Sequence, residues 1–346
     1  MGLDERKRSV LCAVVDVYIR TGEPVGSNAV LANLGMNVSS ATVRNDMAAL
    51  EQMGFLEQPH TSAGRVPTYT GYRFYIDNLM SPKPLSPKER ELIDSLLSKN
   101  ALTVDSVIEN AVSVLSELTN MAVVSQSNIP VYSVITRVEV IPAGRRLYAL
   151  LMITSSGAVR NKVCRLEFDL NESQIAYFED FVNQHITGLN MDSLTPAMLQ
   201  NLAVALGGYM MALSPLLHAV YELTEELSRV DVNLCGEQNL LVDESLRSDE
   251  VVRMLAHKNQ LGELLDSAFD GVSVVFGSEN DSFAVTNSSM ILSPYKLKNE
   301  RMGSFGLIGP VRVDYSRVIP HIQYITDSVT RLLSDVVGSD DEGKEE

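Results

Sequence analysis

The sequence predicts an α+β protein in which an N-terminal winged helix-turn-helix precedes an α+β domain interrupted by a helical insertion. Three observations carry this. The first eighty residues hold three short amphipathic helical patterns and then an alternating stretch centred on a turn. A proline-rich break, MSPKPLSPKE from Met80 to Glu89, separates them from the rest. Beyond it, two groups of β-branched runs stand on either side of a helical stretch over 170–232.

Asp4 is placed to cap a first helix whose apolar residues Val10, Leu11, Val14, Val15, Tyr18 and Ile19 recur at one-turn intervals, and TGEPVG from Thr21 ends it near Arg20. Ser27 suits the cap of a short second helix through Leu34. Gly35-Met36-Asn37-Val38 then forms a tight turn, and Ser39 or Ser40 caps a third helix running to about Met53. Val43, Met47, Leu50 and Met53 share one face of that helix, which leaves Ala41, Thr42, Arg44, Asn45 and Ala49 outward near its N-terminal end. Those are the positions that a recognition helix offers to a major groove. After Gly54, FLEQPHTSAGRVPT alternates around HTSAG, as the two strands of a wing would. Arg44 is a planar fork suited to guanine and Asn45 an amide suited to adenine, while His60 and Arg65 in the wing can meet phosphate or the minor groove. The same pattern also suits a plain three-helix packing unit with Arg44 as a solvated surface charge.

Pro82, Pro84 and Pro87 prevent a continuous helix, so the first boundary falls there: a DNA-reading unit over 1–80, then a linker and connecting helix over 81–100. Apolar spacing at Leu92, Leu96, Val107, Ala111, Val114 and Leu118 reads as helix, and the runs 121–125, 132–141, 147–154 and 158–166 read as strands. A second strand group, 272–277, 283–293 and 305–314, follows a helix Ser248–Phe269, and a helix Pro320–Val337 closes the fold. The expected organisation is one α+β domain over 101–169 and 233–338, a helical insertion over 170–232 and an acidic tail over 339–346. Within the insertion, Leu199, Leu202, Leu206, Tyr209, Leu213, Leu216, Val220, Leu223 and Leu227 alternate spacings of three and four. Pro215 divides this face between two shorter helices. Such a face wants a partner helix, and periodicity leaves open whether that partner lies in the same subunit or in a second one.

Composition bounds the function. The chain of 346 residues carries a net charge of −16, so it cannot coat a polyanion with its whole surface. The first eighty residues, with seven basic and eight acidic side chains, are nearly neutral, and nucleic-acid contact must be local to them. Cys12, Cys164 and Cys235 are widely separated, which points to a reducing cytoplasm. No secretory leader pattern opens the chain. The uncharged stretch Ala197–Tyr221 contains Asn201, Gly207, Gly208, Pro215 and His218 and lacks basic anchors, so it reads as buried helix and not as a membrane span. His60, His185, His218, His257 and His321 are scattered without metal-ligand spacing. Gly303, Gly306 and Gly309 match neither a dinucleotide fingerprint nor a phosphate loop and read as a turn beside a strand. Asp314 and Tyr315 have no nucleophile beside them. The sequence therefore points to no enzyme, metal or cofactor, and a hydrolase with an accessory DNA module lacks the catalytic constellation it requires.

The run SSATVRNDM followed by GFLEQPHTSAGRVPT, within SNAVLANLGMNVSSATVRNDMAALEQMGFLEQPHTSAGRVPTYTGYRFYID, closely resembles the N-terminal segment of the HrcA family, the heat-inducible repressors of bacterial chaperone operons. The likeness continues more weakly in Gly277-Ser278-Glu279-Asn280, SSMILSPY from Ser288 and GLIGPVRVDYSRVI from Gly306, and is least in the insertion. What the resemblance implies is a winged-helix DNA reader, a GAF-like α+β domain and an inserted dimerising domain, acting as a homodimer on an inverted-repeat operator upstream of chaperone genes. It assigns operator contact to Ser40, Thr42, Arg44 and Asn45, with His60, Ser62 and Arg65 in the wing. An inserted dimerising domain would place the dimer face on the heptad residues Leu199, Leu202, Leu206, Tyr209, Leu213, Leu216 and Val220. It also implies dependence on the chaperonin GroEL for the active fold, so that occupied chaperonin opens the operon. Asn28 and Asn33 stand where relatives often carry basic residues, which predicts a shallower salt dependence. Because GAF-like folds often enclose a small molecule, a repressor gated by an effector is the competing expectation.

Overall fold

The computed structural model describes residues 3–60, 63–127, 133–155, 157–190, 193–206, 213–228, 231–267, 271–277, 279, 283–297 and 300–338. The N-terminal unit folds as α1 (Glu5–Thr21), α2 (Ser27–Leu34), α3 (Ser40–Gln52), a wing of β1 (Leu56–Glu57) and β2 (Val66–Pro67), and α4 (Tyr69–Asn78). Asp4 caps α1, its carboxylate accepting the Lys7 N–H at 2.8 Å, and Gly22 ends the helix in the left-handed conformation. Ser27 does not cap α2: Gly26 holds that position, and the Ser27 hydroxyl lies 3.0 Å from that of Ser40. Val10, Leu11, Val14, Val30, Val43, Met47 and Leu50 close the core. Met53, expected on the same face, follows the last residue of α3 as its C-cap and is half exposed.

The chain continues through α5 (Pro87–Leu97), α6 (Val104–Thr119), β3 (Ala122–Ser127), β4 (Ile135–Gly144), β5 (Leu147–Thr154), β6 (Val159–Arg165), α7 (Glu172–Ile186), α8 (Pro196–Leu206) and α9 (Ser214–Ser228). It ends with β7 (Asp231–Cys235), α10 (Glu237–Leu241), α11 (Ser248–Ala256), α12 (Leu261–Ser267), β8 (Ser273–Phe276), β9 (Ser288–Leu297), β10 (Glu300–Pro310) and α13 (Tyr315–Gly338). Strands β7, β3, β10, β9 and β8, in that order, make a five-stranded antiparallel sheet. One face packs on α6 and α13, the other on α10 and α12. Val123 and Val124 are both fully buried, one on each face, which is why their run shows no alternation. Gly303, Gly306 and Gly309 lie within the central strand β10 and not in a turn. A Cβ on Gly306 would stand 2.7 Å from Val124 Cγ1, and one on Gly303 only 2.1 Å from the Gln126 carbonyl oxygen. Close strand packing is what requires glycine there.

The final helix begins at Tyr315, earlier than the expected start at Pro320. Pro320 has no N–H to give the Ser316 carbonyl, and the Lys83 N–H of the linker takes that carbonyl at 2.8 Å. A helix defect thus becomes an anchor for the linker.

The insertion differs most from expectation. Strands β4, β5 and β6, read as part of the interrupted domain, form a separate three-stranded sheet whose inner face shares a core with α7, α8 and α9. The insertion therefore opens before Ile135 and not at 170, and it closes before β7, which joins the larger sheet. The heptad face is inside that core: Leu202, Leu206, Leu213, Leu216, Val220 and Leu223 are buried, with Leu199 packed against them. Among the described residues that surface is filled by the inner face of its own sheet and is not free for a second subunit. Pro215 sits in the first turn of α9, where its missing N–H needs no partner, and the pattern is carried by two helices. Tyr209, Ser62 and the tail 339–346 lie outside the described residues. Among the described residues no helix is long and apolar enough to cross a membrane.

Candidate DNA-binding surface

The reading surface is built from α3 outward. Ser39 caps the helix, its hydroxyl accepting the Thr42 N–H at 3.1 Å. Val43, Met47 and Leu50 fix one side of α3 in the core, so Ala41, Arg44 and Asn45 are exposed on the other. Arg44 and Asn45 make no side-chain hydrogen bond or ion pair among the described residues. Ser40 is committed differently: its hydroxyl donates to Asn28 Oδ1 at 2.7 Å, stitching α3 to α2. Asn33 accepts from Arg20 Nη2 at 2.8 Å and donates to the Ala29 carbonyl at 2.8 Å. Both asparagines are therefore bracing residues, and neither supplies a charge for phosphate.

Behind α3 lies a pair that the sequence reading missed. Asp46, 4% exposed, accepts from Arg6 Nε at 2.7 Å and from Arg6 Nη2 at 3.1 Å. This bidentate pair ties α3 to α1, and the same hydrogen bonds raise the pKa of the guanidinium. Its only signal in the sequence was a carboxylate at core spacing, between Val43 and Met47. Further back, Tyr75 on α4 donates to Asp16 on α1 at 2.7 Å. Burial, reinforced by that carboxylate, pushes the phenol's pKa up. It likewise pushes the Cys12 thiol up to about 12, so Cys12 stays protonated.

The wing pairs Leu56 with Pro67 and Glu57 with Val66. Val25 and Arg65 exchange both backbone hydrogen bonds at 2.9 Å, an approach that leaves no space for a Cβ on the neighbouring Gly64, which would stand 2.4 Å from the Val25 backbone. His60 is exposed, and its carbonyl accepts the Ala63 N–H at 2.8 Å across the turn. Arg65 is not a free cation at the tip: its guanidinium pairs with Glu51 near the end of α3 at 2.9 Å. The pair clamps the wing to the reading helix. The structure thus exposes Arg44 and Asn45 on the outer side of α3 and His60 in the wing, holds the Thr42 hydroxyl 2.9 Å from that of Ser39, and gives Ser40 and Arg65 bracing contacts.

The scaffold beneath is continuous. Arg73 on α4 donates to the Val274 carbonyl at 2.6 Å, lies 5.0 Å from the Phe276 ring and pairs with Glu279, so the N-terminal unit is docked on the five-stranded domain. Among the described residues no group of His, Cys, Asp and Glu is placed to hold a metal ion.

A helix-turn-helix with an outward, unpaired face and a clamped wing defines a winged helix-turn-helix DNA-binding protein. Residues 2–78 match the family described as "Winged helix-turn-helix transcription repressor, HrcA DNA-binding", and residues 105–319 match "HrcA protein C terminal domain". The chain belongs to the HrcA family of DNA-binding transcription repressors. It is 30% identical over 351 residues to the "Heat-inducible transcription repressor HrcA" of Acetivibrio thermocellus, covering 99% of this chain and 100% of that one. It is 33% identical over 341 residues to the protein of the same name from Syntrophobacter fumaroxidans, covering 96% and 98%. A crystal structure described as that of a hypothetical protein matches with a TM-score of 0.67 at 25% identity, covering 97% of this chain and 100% of that one.

Proposed function

We propose that this protein is a cytoplasmic, sequence-specific repressor of heat-shock chaperone operons that binds an inverted-repeat operator as a homodimer. In this reading it loses activity under heat stress, when the chaperonin GroEL is occupied. The observation that carries the DNA-reading part is the pair Arg44 and Asn45, exposed and unpaired on a helix whose other side is locked in the core. In a major groove Arg44 meets guanine O6 and N7, and Asn45 meets adenine N6 and N7. Thr42 lies near the N-terminus of α3, where phosphate is favoured, with Ser40 holding that end of the helix to α2, while the exposed His60 is offered to the DNA backbone by the wing. Arg65 orients that wing through Glu51.

An inverted repeat requires two copies related by a two-fold axis. With the heptad face occupied, the outer side of the three-stranded sheet supports pairing better. Ile141, Val159 and Val163 are exposed there, and strand alternation puts Leu151 and Ile153 on the same side, with Arg137, Glu139 and Arg165 among them. An apolar strip mixed with charges suits a self-complementary contact. The test is competition at fixed salt between a chaperone-promoter duplex and unrelated DNA. Preference for the promoter by about 10³-fold or more is expected of a specific site, and equal affinity would overturn the reading.

A further inference from the structure

We propose that the junction between the winged helix and the five-stranded domain is a binding site for a free aromatic α-amino acid. A cavity of about 230 Å³ opens there, walled by α1, the wing and the start of α4 on one side, and by residues before β9 and after β10 on the other. Its volume lies just below the ~300 Å³ at which ligand clefts usually begin, which suits a single amino acid.

The lining selects the chemistry. Tyr18 and Tyr69, both half-buried, supply rings against which a flat side chain packs, while Tyr72 is buried against Phe276 and Tyr315. Charges of both signs are present. Arg312 makes only a 3.4 Å contact to the Ile19 carbonyl and no ion pair among the described residues, and Glu57 likewise has no ion-pair partner there. A simple carboxylate would meet Glu57 as a like charge, and a simple amine would meet Arg312; a zwitterion matches both.

Because the walls come from both bodies, occupancy fastens the reading unit to its support. This contact adds to those of Arg73 with Val274 and Lys83 with Asp314. The site lies at the domain junction, outside the five-stranded sheet's own core.

Calorimetry on the full-length protein without DNA tests this with L-phenylalanine, alongside 3-phenylpropionate and phenethylamine as analogues lacking one charge. Saturable one-to-one binding of L-phenylalanine is expected, weaker by about tenfold or more for each analogue and for the Arg312→Met and Glu57→Gln variants. Glu57 is exposed on the wing, so its variant keeps the test meaningful if Arg312→Met disturbs the junction. Hydrogen exchange should slow on both walls in the presence of ligand. Absence of saturable binding up to the solubility of L-phenylalanine, unchanged affinity in Glu57→Gln, or equal binding of either analogue would overturn the proposal. No operator is present in this assay, so its failure leaves the DNA-reading proposal standing, and the reverse holds as well.

Discussion

Arg44 and Asn45 follow one another on the outer side of α3, and each carries a side chain able to make two hydrogen bonds to one base edge. Replacing either with alanine should lower the preference for operator over unrelated DNA by about 1–3 kcal/mol while leaving weak nonspecific binding intact. Competition titration at constant salt reads this directly, and undiminished discrimination in both variants would mean that another surface reads the bases. These two residues were legible in the sequence because helical spacing alone assigns them to the side opposite Val43, Met47 and Leu50. Their supports were not legible. Asp46 meets Arg6 across 40 positions and Arg65 meets Glu51 across 14, separations that local periodicity does not see. Asp46→Ala should remove a partly buried pair and reduce stability by about 1–3 kcal/mol, measured by denaturant unfolding of the whole chain. A midpoint equal to that of the unaltered protein would show that the pair is idle.

At the scale of elements, burial inverts the expectation for the insertion's helices. Heptad spacing identified α8 and α9 as amphipathic, and it could not say that the strands β4, β5 and β6, upstream in sequence, would fold back to cover them. Leu216 is fully buried in that core, so Leu216→Ala should cost about 2–5 kcal/mol in unfolding experiments, a loss of fold and not of pairing. Val163, 59% exposed on the outer face, should behave in the opposite way. Val163→Asp is expected to keep the melting behaviour and to shift sedimentation from dimer towards monomer, and a variant that remains fully dimeric would place the contact elsewhere. The linker adds a pH-dependent element. Burial pushes the Asp314 carboxyl up, yet the Ser316 hydroxyl and the Lys83 ammonium, 3.0 Å away, more than offset it and hold its pKa below the ordinary 3.8. A depressed carboxyl stabilises the docked linker above pH 3.8 and loses that contribution as pH falls through the lowered value. Hydrogen exchange over 80–86 should therefore accelerate on acidification below that range, and Lys83→Met should flatten the dependence. An identical profile in the variant would remove Lys83 from the account.

For the whole molecule, the two-part layout of reader and α+β support was legible because proline clusters and β-branched runs mark it in the chain. The position of the insertion was not, since sheet membership depends on which strands pair. The five-stranded sheet recruits β3 from before the insertion and β7 to β10 from after it, so its core forms only when distant segments meet. Such a chain exposes apolar strands while folding, which supports the chaperonin dependence in the proposal. Dilution from denaturant should yield a larger operator-competent fraction with GroEL and ATP than without, and equal recovery would detach repression from chaperonin supply. The most direct test of the central claim is footprinting of the full-length protein on the promoter DNA of the cell's own chaperone genes. The account predicts protection of a two-fold symmetric site whose half-sites are separated by whole helical turns, lost in Arg44→Ala; asymmetric protection, or none, would contradict it.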